Sequence, residues 1–468
     1  MIIWTYKAER ISVDMEISEI VEKQRIYFAS GATRTPEFRI AALKKLQAAL
    51  RKYQGRLADA MKQDLNKHHF EAYMCETGMV LEELRFHIRH LERWMRPKRV
   101  PTPVAQFHAR SSQVPEPYGT VLIMAPWNYP VNLCLTPLVG AISAGNCAVV
   151  KPSAYAGASS SAIAEILSEI YPPDYVAVVE GGRQENTALL REKFDYIFFT
   201  GSVEVGKAVM AAAAENLTPV TLELGGKSPV IVDRTADIGL AARRIAFGKV
   251  LNAGQTCVAP DYLLIESSVR DAFIDQYRLA LNRFFPRGDM SGMATIISEK
   301  HYLEKKALLE GQRAVIGGGF DDSRRFIEPT LLVDVTPDSQ VMREEIFAPI
   351  LPVLAWEALG EAIDFVNARP KPLALYLFTG DKACVKHVLD RCSFGGGCIN
   401  DTVIHLATTR IGFGGVGASG MGRYHGKDSF DTFTHYRSIV DKSTWVDLPM
   451  RYFPYSARNF AWVKRFLK

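Results

Sequence analysis

At 468 residues the chain is longer than one hydrophobic core ordinarily fills, so two or three domains are expected. Apolar residues make up 48% and charged residues 23%, the balance of an ordinary globular protein. The net charge of +5 is scattered among both signs, which leaves no basic stripe for nucleic acid and is compatible with anionic cofactors.

The opening MIIWTYKAERISVDM becomes charged too early to hold the apolar region of a signal peptide. From about Pro36 to Leu65, the residues Ile40, Leu43, Leu46, Leu50, Tyr53, Leu57 and Met61 recur every three or four positions, which predicts helix. A second helical pattern covers Tyr73 to Trp94, and the proline-bearing segment from Arg96 to Pro103 closes this region. No charge occurs between Glu116 and Lys151. Pro126, Pro130 and Pro137 with Asn128, Asn132 and Asn146 interrupt that stretch, so strands buried on both faces are expected there rather than a membrane span. From Tyr118 the runs TVLIMAP, CAVVKP, VAVVEGG, YIFFTGS and VTLELGG alternate with helical stretches, a doubly wound pattern. A second series begins at SPVIVD and an alanine-rich helix near Leu240 to Leu251. It continues through YLLIES, LPVLAW, ALYLFTG and GCIN. No repeat or low-complexity linker separates the two units, so they are expected to pack closely around a cleft. The seven cysteines are dispersed without a Cys-x-x-Cys pair, and Cys392 with Cys398 lacks a second pair to complete a zinc site. No metal is expected, and free thiols point to a reducing compartment, the cytoplasm.

Several strings carry chemistry. Cys257 in NAGQTCVAP is flanked by Gly254, Gln255 and Thr256, which leave room around a sulfur and are poor core material. Glu223 lies upstream in LELGGKSP. A thiolate attacks carbonyl carbon and a carboxylate activates water, so the pair reads as nucleophile and base; the plain alternative is an inert buried thiol. Asn128 in PWNYP is either a turn residue or a donor aimed from a strand end. In YIFFTGSVEVGKAVM, Gly201, Ser202 and Gly206 sit between a strand and a helix, where a pyrophosphate can approach backbone N–H groups. A helix cap reads equally well. Gly412, Gly414 and Gly417 spell G-x-G-x-x-G, but the following ASGMGRYHG is too rich in glycine to open a helix, so the match is a decoy. Among the ten histidines, neither His405 nor His425 has metal-ligand spacing; both read as structural or pocket-lining. Asn400, after a short strand, reads as a residue that orients a nearby glutamate.

With REEIFAP, these strings resemble the NAD(P)-dependent aldehyde dehydrogenases, most closely the class 3 branch, from about Ala105 to Val440. The resemblance implies two doubly wound α/β domains, a small β oligomerisation element and a helical N-terminal region. The expected boundaries are 1–97 for the helical part of the cofactor domain and 98–118 with 428–448 for the oligomerisation strands. The NAD(P)-binding domain then covers 119–222, the catalytic domain 223–427 and the C-terminal tail 449–468. It implies Cys257 as nucleophile, Glu223 as the base that hydrolyses the thioester, and the Asn128 amide with the Cys257 N–H as oxyanion hole. Lys151 in VVKPS would bind the adenosine ribose. Gly201, Ser202, Gly206, Leu224, Gly225 and Trp127 would line the dinucleotide, and Glu345 and Phe347 would hold the nicotinamide end. Where the family usually has a glutamate gripping the ribose diol, this chain has Ala154; its loss removes a repulsive charge, so NADP is expected to be accepted beside NAD. Tyr129, Trp127 and Ile404 would line an apolar pocket for a fatty or aromatic aldehyde.

The resemblance also implies a homodimer. The tail SARNFAWVKRFLK carries Phe460, Val463 and Leu467 against Arg458, Lys464, Arg465 and Lys468, a pattern suited to a membrane surface, a cover over the substrate funnel or docking on its own subunit. Two other readings remain open: a CoA-acylating or phosphate-using relative, disfavoured by Glu223, and a non-catalytic binding protein on the same scaffold.

Overall fold

Strands that read as unbroken apolar runs are buried along their whole length, because helices cover both faces of a parallel sheet. Thr120–Met124 and Cys147–Lys151 are such strands in the computed structural model, which describes residues 2–467. Together with Val176–Val178, Tyr196–Gly201 and Val220–Leu224 they form a parallel sheet. Its spatial order runs Gly420–Met421, Val220–Leu224, Tyr196–Gly201, Thr120–Met124, Cys147–Lys151, Val176–Val178. The chain therefore leaves Thr120–Met124 in both directions, and the carboxyl ends of that strand and of Tyr196–Gly201 flank the switch point where such sheets bind ligands.

The second sheet runs Arg313–Ile316, Thr330–Val333, Ile350–Trp356, Tyr262–Glu266, Pro229–Val232, Ala374–Phe378, Gly396–Ile399, all parallel except the first. Arg313–Ile316 and Thr330–Val333 were not expected. The former is half-exposed and its apolar run is only Ala314 to Ile316, and the latter is four residues long. A third sheet orders Lys98–Val100, Ala109–Pro117 and Thr434–Lys442 antiparallel, with Thr434–Lys442 an open edge.

The predicted helix from Pro36 to Leu65 is two, Pro36–Lys52 and Gln54–Leu65, broken at Tyr53 (φ −102°, ψ 13°). Their apolar stripe buries Leu43, Leu46, Leu50, Leu57 and Met61, while Ile40 and Tyr53 are half-buried. The pattern from Tyr73 begins with a π-helical turn, Tyr73–Thr77, before Gly78–Trp94. Two expected boundaries need correction. A break between 222 and 223 would cut the strand Val220–Leu224, and Gly420–Met421 returns from the catalytic unit to pair with it, Gly420 opposite Glu223. Residues Lys427–Thr432 are helix, not oligomerisation strand. Among the described residues no helix is long and apolar enough to cross a membrane.

Candidate active site

Cys257 follows a turn that an ordinary helix end would not produce. The helix Ile238–Val250 runs into Leu251–Gly254, where Asn252, Ala253 and Gly254 take φ of 49°, 53° and 70°. Two non-glycine residues in left-handed conformation store strain, and such residues persist only where surroundings hold them. Here the Asn252 side chain donates to Asn128 O (2.8 Å) and Gln255 O (3.1 Å), and Gln255 Nε2 donates to Asn252 O and Thr295 O, both at 3.0 Å. At Gly254 a Cβ would lie 2.4 Å from Ala348 O, so the turn presses against the segment that carries Glu345 and Phe347. Cys257 emerges half-buried from this turn.

The Asn128 Nδ2 donates to Gln255 O at 2.9 Å, which commits one of its two hydrogens and leaves the other for a ligand. Asn128 is buried and lines a cavity of about 290 Å³ with Trp127, Gly201, Ser202, Glu223, Leu224, Gly225, Cys257, Glu345 and Phe347. Ten positions expected from separate strings therefore share one space. Glu223 is buried with neither carboxylate oxygen hydrogen-bonded, and burial raises its carboxyl well above the ordinary range. Burial, with Asp261 adding repulsion, lifts Glu345 to about 8. The Cys257 thiol is pushed up by burial and then by the Glu345 and Glu223 carboxylates.

The residues suit a dinucleotide. Ser202 caps the helix Val203–Glu215, its hydroxyl accepting from Val205 N–H at 3.4 Å, so free N–H groups and the positive dipole end face the cavity mouth. Gly206 packs that helix on the sheet, since a Cβ would lie 2.5 Å from Leu224 Cδ2. Glu345 Oε2 occupies the place of a Gly225 Cβ, 2.1 Å from it, an acceptor poised for a ribose diol. Trp127 and Phe347 meet edge to face, centroids 5.5 Å apart, in the cavity that Cys257 also lines. Lys151 lies outside this cavity; its ammonium donates to Pro152 O (2.9 Å) and Gly181 O (2.6 Å), keeping one hydrogen at the sheet's carboxyl edge.

Cys257 also lines a second cavity, about 150 Å³, enclosed mainly by apolar groups including Met79, Tyr129, Leu133, Phe247, Ile404 and Phe413. Cys257 and Leu133 line both spaces. Tyr129 Oη and Thr256 Oγ1 lie 2.6 Å apart, which ties the pocket wall to the residue before the nucleophile.

A family model described as the aldehyde dehydrogenase family matches residues 7–439. This chain belongs to the aldehyde dehydrogenase family. It is an oxidoreductase that acts on aldehydes with NAD(P), on the class 3 side of the family. It is 47% identical to the 4,4'-diaponeurosporen-aldehyde dehydrogenase of Staphylococcus aureus over 95% of this chain and 97% of that one. It is 43% identical to the dimeric NADP-preferring aldehyde dehydrogenase of Rattus norvegicus, over 91% and 95%. A solved structure titled as the substrate-bound state of Staphylococcus aureus AldH superposes with a TM-score of 0.95 at 46% identity, covering 97% and 99%.

Within this aldehyde dehydrogenase three expectations need correction. Trp127 lines the cavity with Asn128 and Glu223, not the apolar one that Tyr129 and Ile404 line. Asn400 does not orient a glutamate: its amide bridges Thr379, accepting from the backbone N–H and donating to the carbonyl, both at 2.9 Å. The match is longer than the segment from Ala105 to Val440, because the N-terminal helices carry family pattern without a chemical string. The decoy glycines stay clear of both cavities; the loop they form packs against the strand carrying Glu223, where Gly420 (φ 141°) has no room for a Cβ, 2.1 Å from Leu222 O. His425 lines the apolar cavity, and His405, lowered to about 4 by burial, packs behind it on Tyr376 and Phe413. Asn252 and the buried Lys67–Glu76 pair carry no local mark in the sequence, whereas Thr256 stands out by its place beside the cysteine.

Proposed function

We propose that the enzyme oxidises hydrophobic, fatty or aromatic aldehydes to acids through a covalent intermediate on Cys257, with NADP accepted beside NAD. The observation that carries this reading is that Cys257 lines both an apolar cavity and the cavity that suits a dinucleotide. The aldehyde carbon lies against the sulfur and its oxygen faces the free Asn128 hydrogen and the Cys257 backbone N–H, donors that favour the developing oxyanion. When bound, the dinucleotide supplies the hydride acceptor. Glu223, once deprotonated, takes a proton from water as that water attacks the thioester, releasing the acid and restoring the thiol. Buried carboxyls with raised proton affinity are suited to this, since they hold their charge only while needed.

Apolar lining supports a long or aromatic substrate, as does the aldehyde for which the Staphylococcus aureus relative is named. Ala154 is exposed and uncharged one turn beyond Lys151, which supports tolerance of a 2′-phosphate, as does the printed preference of the rat relative. A homodimer through the open edge strand Thr434–Lys442, where Ile439 and Val440 are exposed, fits the same relative's description. The tail helix Ala457–Phe466 shares a groove with Val104–Gln106 and Val440, with Val463 and Leu467 in its wall, so within one subunit it docks away from the Cys257 cavity. Exposed Phe453, Tyr455 and Phe460 beside Arg458, Lys464 and Arg465 support a peripheral membrane contact, which vesicle co-sedimentation with and without residues 449–468 tests. Seven free cysteines support a cytoplasmic enzyme. The deciding experiment is a spectrophotometric panel of aldehydes of graded chain length with both dinucleotides. Preference for short polar aldehydes, or NADP turnover orders of magnitude below NAD turnover, overturns the corresponding half of the proposal.

A further inference from the structure

The main chain that presents Asn128 is fastened by an ion pair with no access to water. Lys67 and Glu76 have 0% exposed side chains and lie 2.5 Å apart, nitrogen to oxygen. The same ammonium donates to Asn128 O at 3.0 Å and stands 4.3 Å from the centre of the Tyr129 ring. The other Glu76 oxygen accepts the N–H groups of Val131 (3.0 Å) and Asn132 (2.9 Å), at the start of the helix Asn132–Ala144. From the opposite side, Asn252 Nδ2 reaches Asn128 O, and Asn252 N–H donates to Glu71 Oε1 at 2.9 Å. A helical segment outside both α/β sheets thus grips residues 128–132 and the nucleophile turn together.

Stability alone does not account for this pair. Removing two charges from water costs several kcal/mol each, and apolar replacements of such pairs are often neutral or stabilising. What apolar groups would not supply is a donor to the Asn128 carbonyl and an acceptor for two N–H groups at set distances. We infer that Lys67 and Glu76 are positioning residues: they fix the 128–132 backbone so that the Asn128 amide faces the oxygen of an aldehyde bound to Cys257. The inference rests on the oxyanion role proposed for Asn128.

The test is a cycle of Lys67→Met/Glu76→Gln, Asn128→Ala and their combination in the full chain. The readouts are stopped-flow NAD(P)H formation with hexanal, dinucleotide binding by fluorescence quenching, and thermal melting. The double variant is expected to fold and to bind dinucleotide as the parent does, while its first hydride transfer at saturating hexanal slows by about 10- to 100-fold, the scale of a small misplacement. In the Asn128→Ala background it is expected to cause no further slowing, because both act through one amide. A burst at the parent rate, or losses that multiply with Asn128→Ala, overturns the inference. A normal burst in Asn128→Ala itself instead overturns the oxyanion assignment. Should the double variant fail to fold, Glu76→Gln alone keeps one acceptor at the helix start and carries the same cycle, with a smaller loss that again vanishes in the Asn128→Ala background.

Discussion

Glu223→Gln isolates the second half of the reaction. The side chain is 3% exposed, and neither carboxylate oxygen has a hydrogen-bond partner. Glutamine has the same shape and carries no charge, so it adds none to a site where burial already disfavours the carboxylate. It breaks no protein contact, and the folded state is expected to change by less than about 1 kcal/mol. Catalysis is another matter. A general base contributes about 10²- to 10⁴-fold, or roughly 3 to 5 kcal/mol of barrier at 1.36 kcal/mol per decade. Steady turnover should fall by that factor, while a burst of about one NAD(P)H per Cys257 survives, because acylation precedes the step that needs the base. The pH dependence provides a second readout. Burial raises the Glu223 carboxyl, so its basic form accumulates only at higher pH, and wild-type turnover limited by hydrolysis should keep climbing where an ordinary carboxylate would have levelled. The variant's residual rate should lose that slope. Stopped-flow and steady-state absorbance at 340 nm of the reduced cofactor, with an acid quench for the acyl-enzyme, measure both. Normal steady turnover in the variant would refute the assignment; loss of the burst would show that Glu223 also serves acylation.

Glu345→Gln removes the carboxylate that most raises the Cys257 thiol after burial. Because Glu345 itself titrates at about 8, iodoacetamide should alkylate the variant several-fold faster than wild type at pH 9 and at a similar rate at pH 6.5; equal rates at both would contradict the electrostatics. Gly420→Ala places a Cβ 2.1 Å from Leu222 O at a φ of 141°, and should cost about 2–4 kcal/mol, read as a lower melting temperature, with activity falling as the Glu223 strand shifts. Ala154→Glu restores an acceptor and a repulsive charge, and should raise the KM for NADP about tenfold relative to NAD; an unchanged ratio would mean the 2′-phosphate lies elsewhere. Tyr129→Phe deletes the 2.6 Å bond to Thr256 and should cost about 0.5–1.5 kcal/mol of stability, with slower acylation in the same burst assay.

The elements a reader of the chain recognises first are those whose signal is local. Strands such as TVLIM and CAVVK announce themselves because both faces are covered, so every residue must be apolar. Cys257 and Glu223 stand out in strings of small residues and glycines, NAGQTCVAP and LELGGKSP, whereas Asn128, Glu345 and Phe347 stand out only because PWNYP and REEIFAP resemble family strings. The segment around LNKHHFEAYMCE carried no such mark. Lys67 and Glu76 look like solvated helix charges, and only contacts to residues 128, 131 and 132, more than fifty positions away, show them wholly buried. The left-handed turn at Asn252 and Ala253 was equally hidden, because neither residue type demands that conformation; the hydrogen bonds from neighbouring elements impose it.

The chain's own order of residues thus determined most strands of the two wound sheets, the helical N-terminal region and the strings whose side chains meet in the cavity, all of which follow from spacing and composition within a few positions. Tertiary structure alone decided that Cys257 would line both an apolar cavity and the cavity it shares with Glu223 and Glu345, that burial would raise both carboxyls, and that a buried ion pair would hold the Asn128 carbonyl. Burial, proton affinity and orientation depend on which distant groups displace water from a side chain, and that is a property of packing rather than of neighbours along the chain.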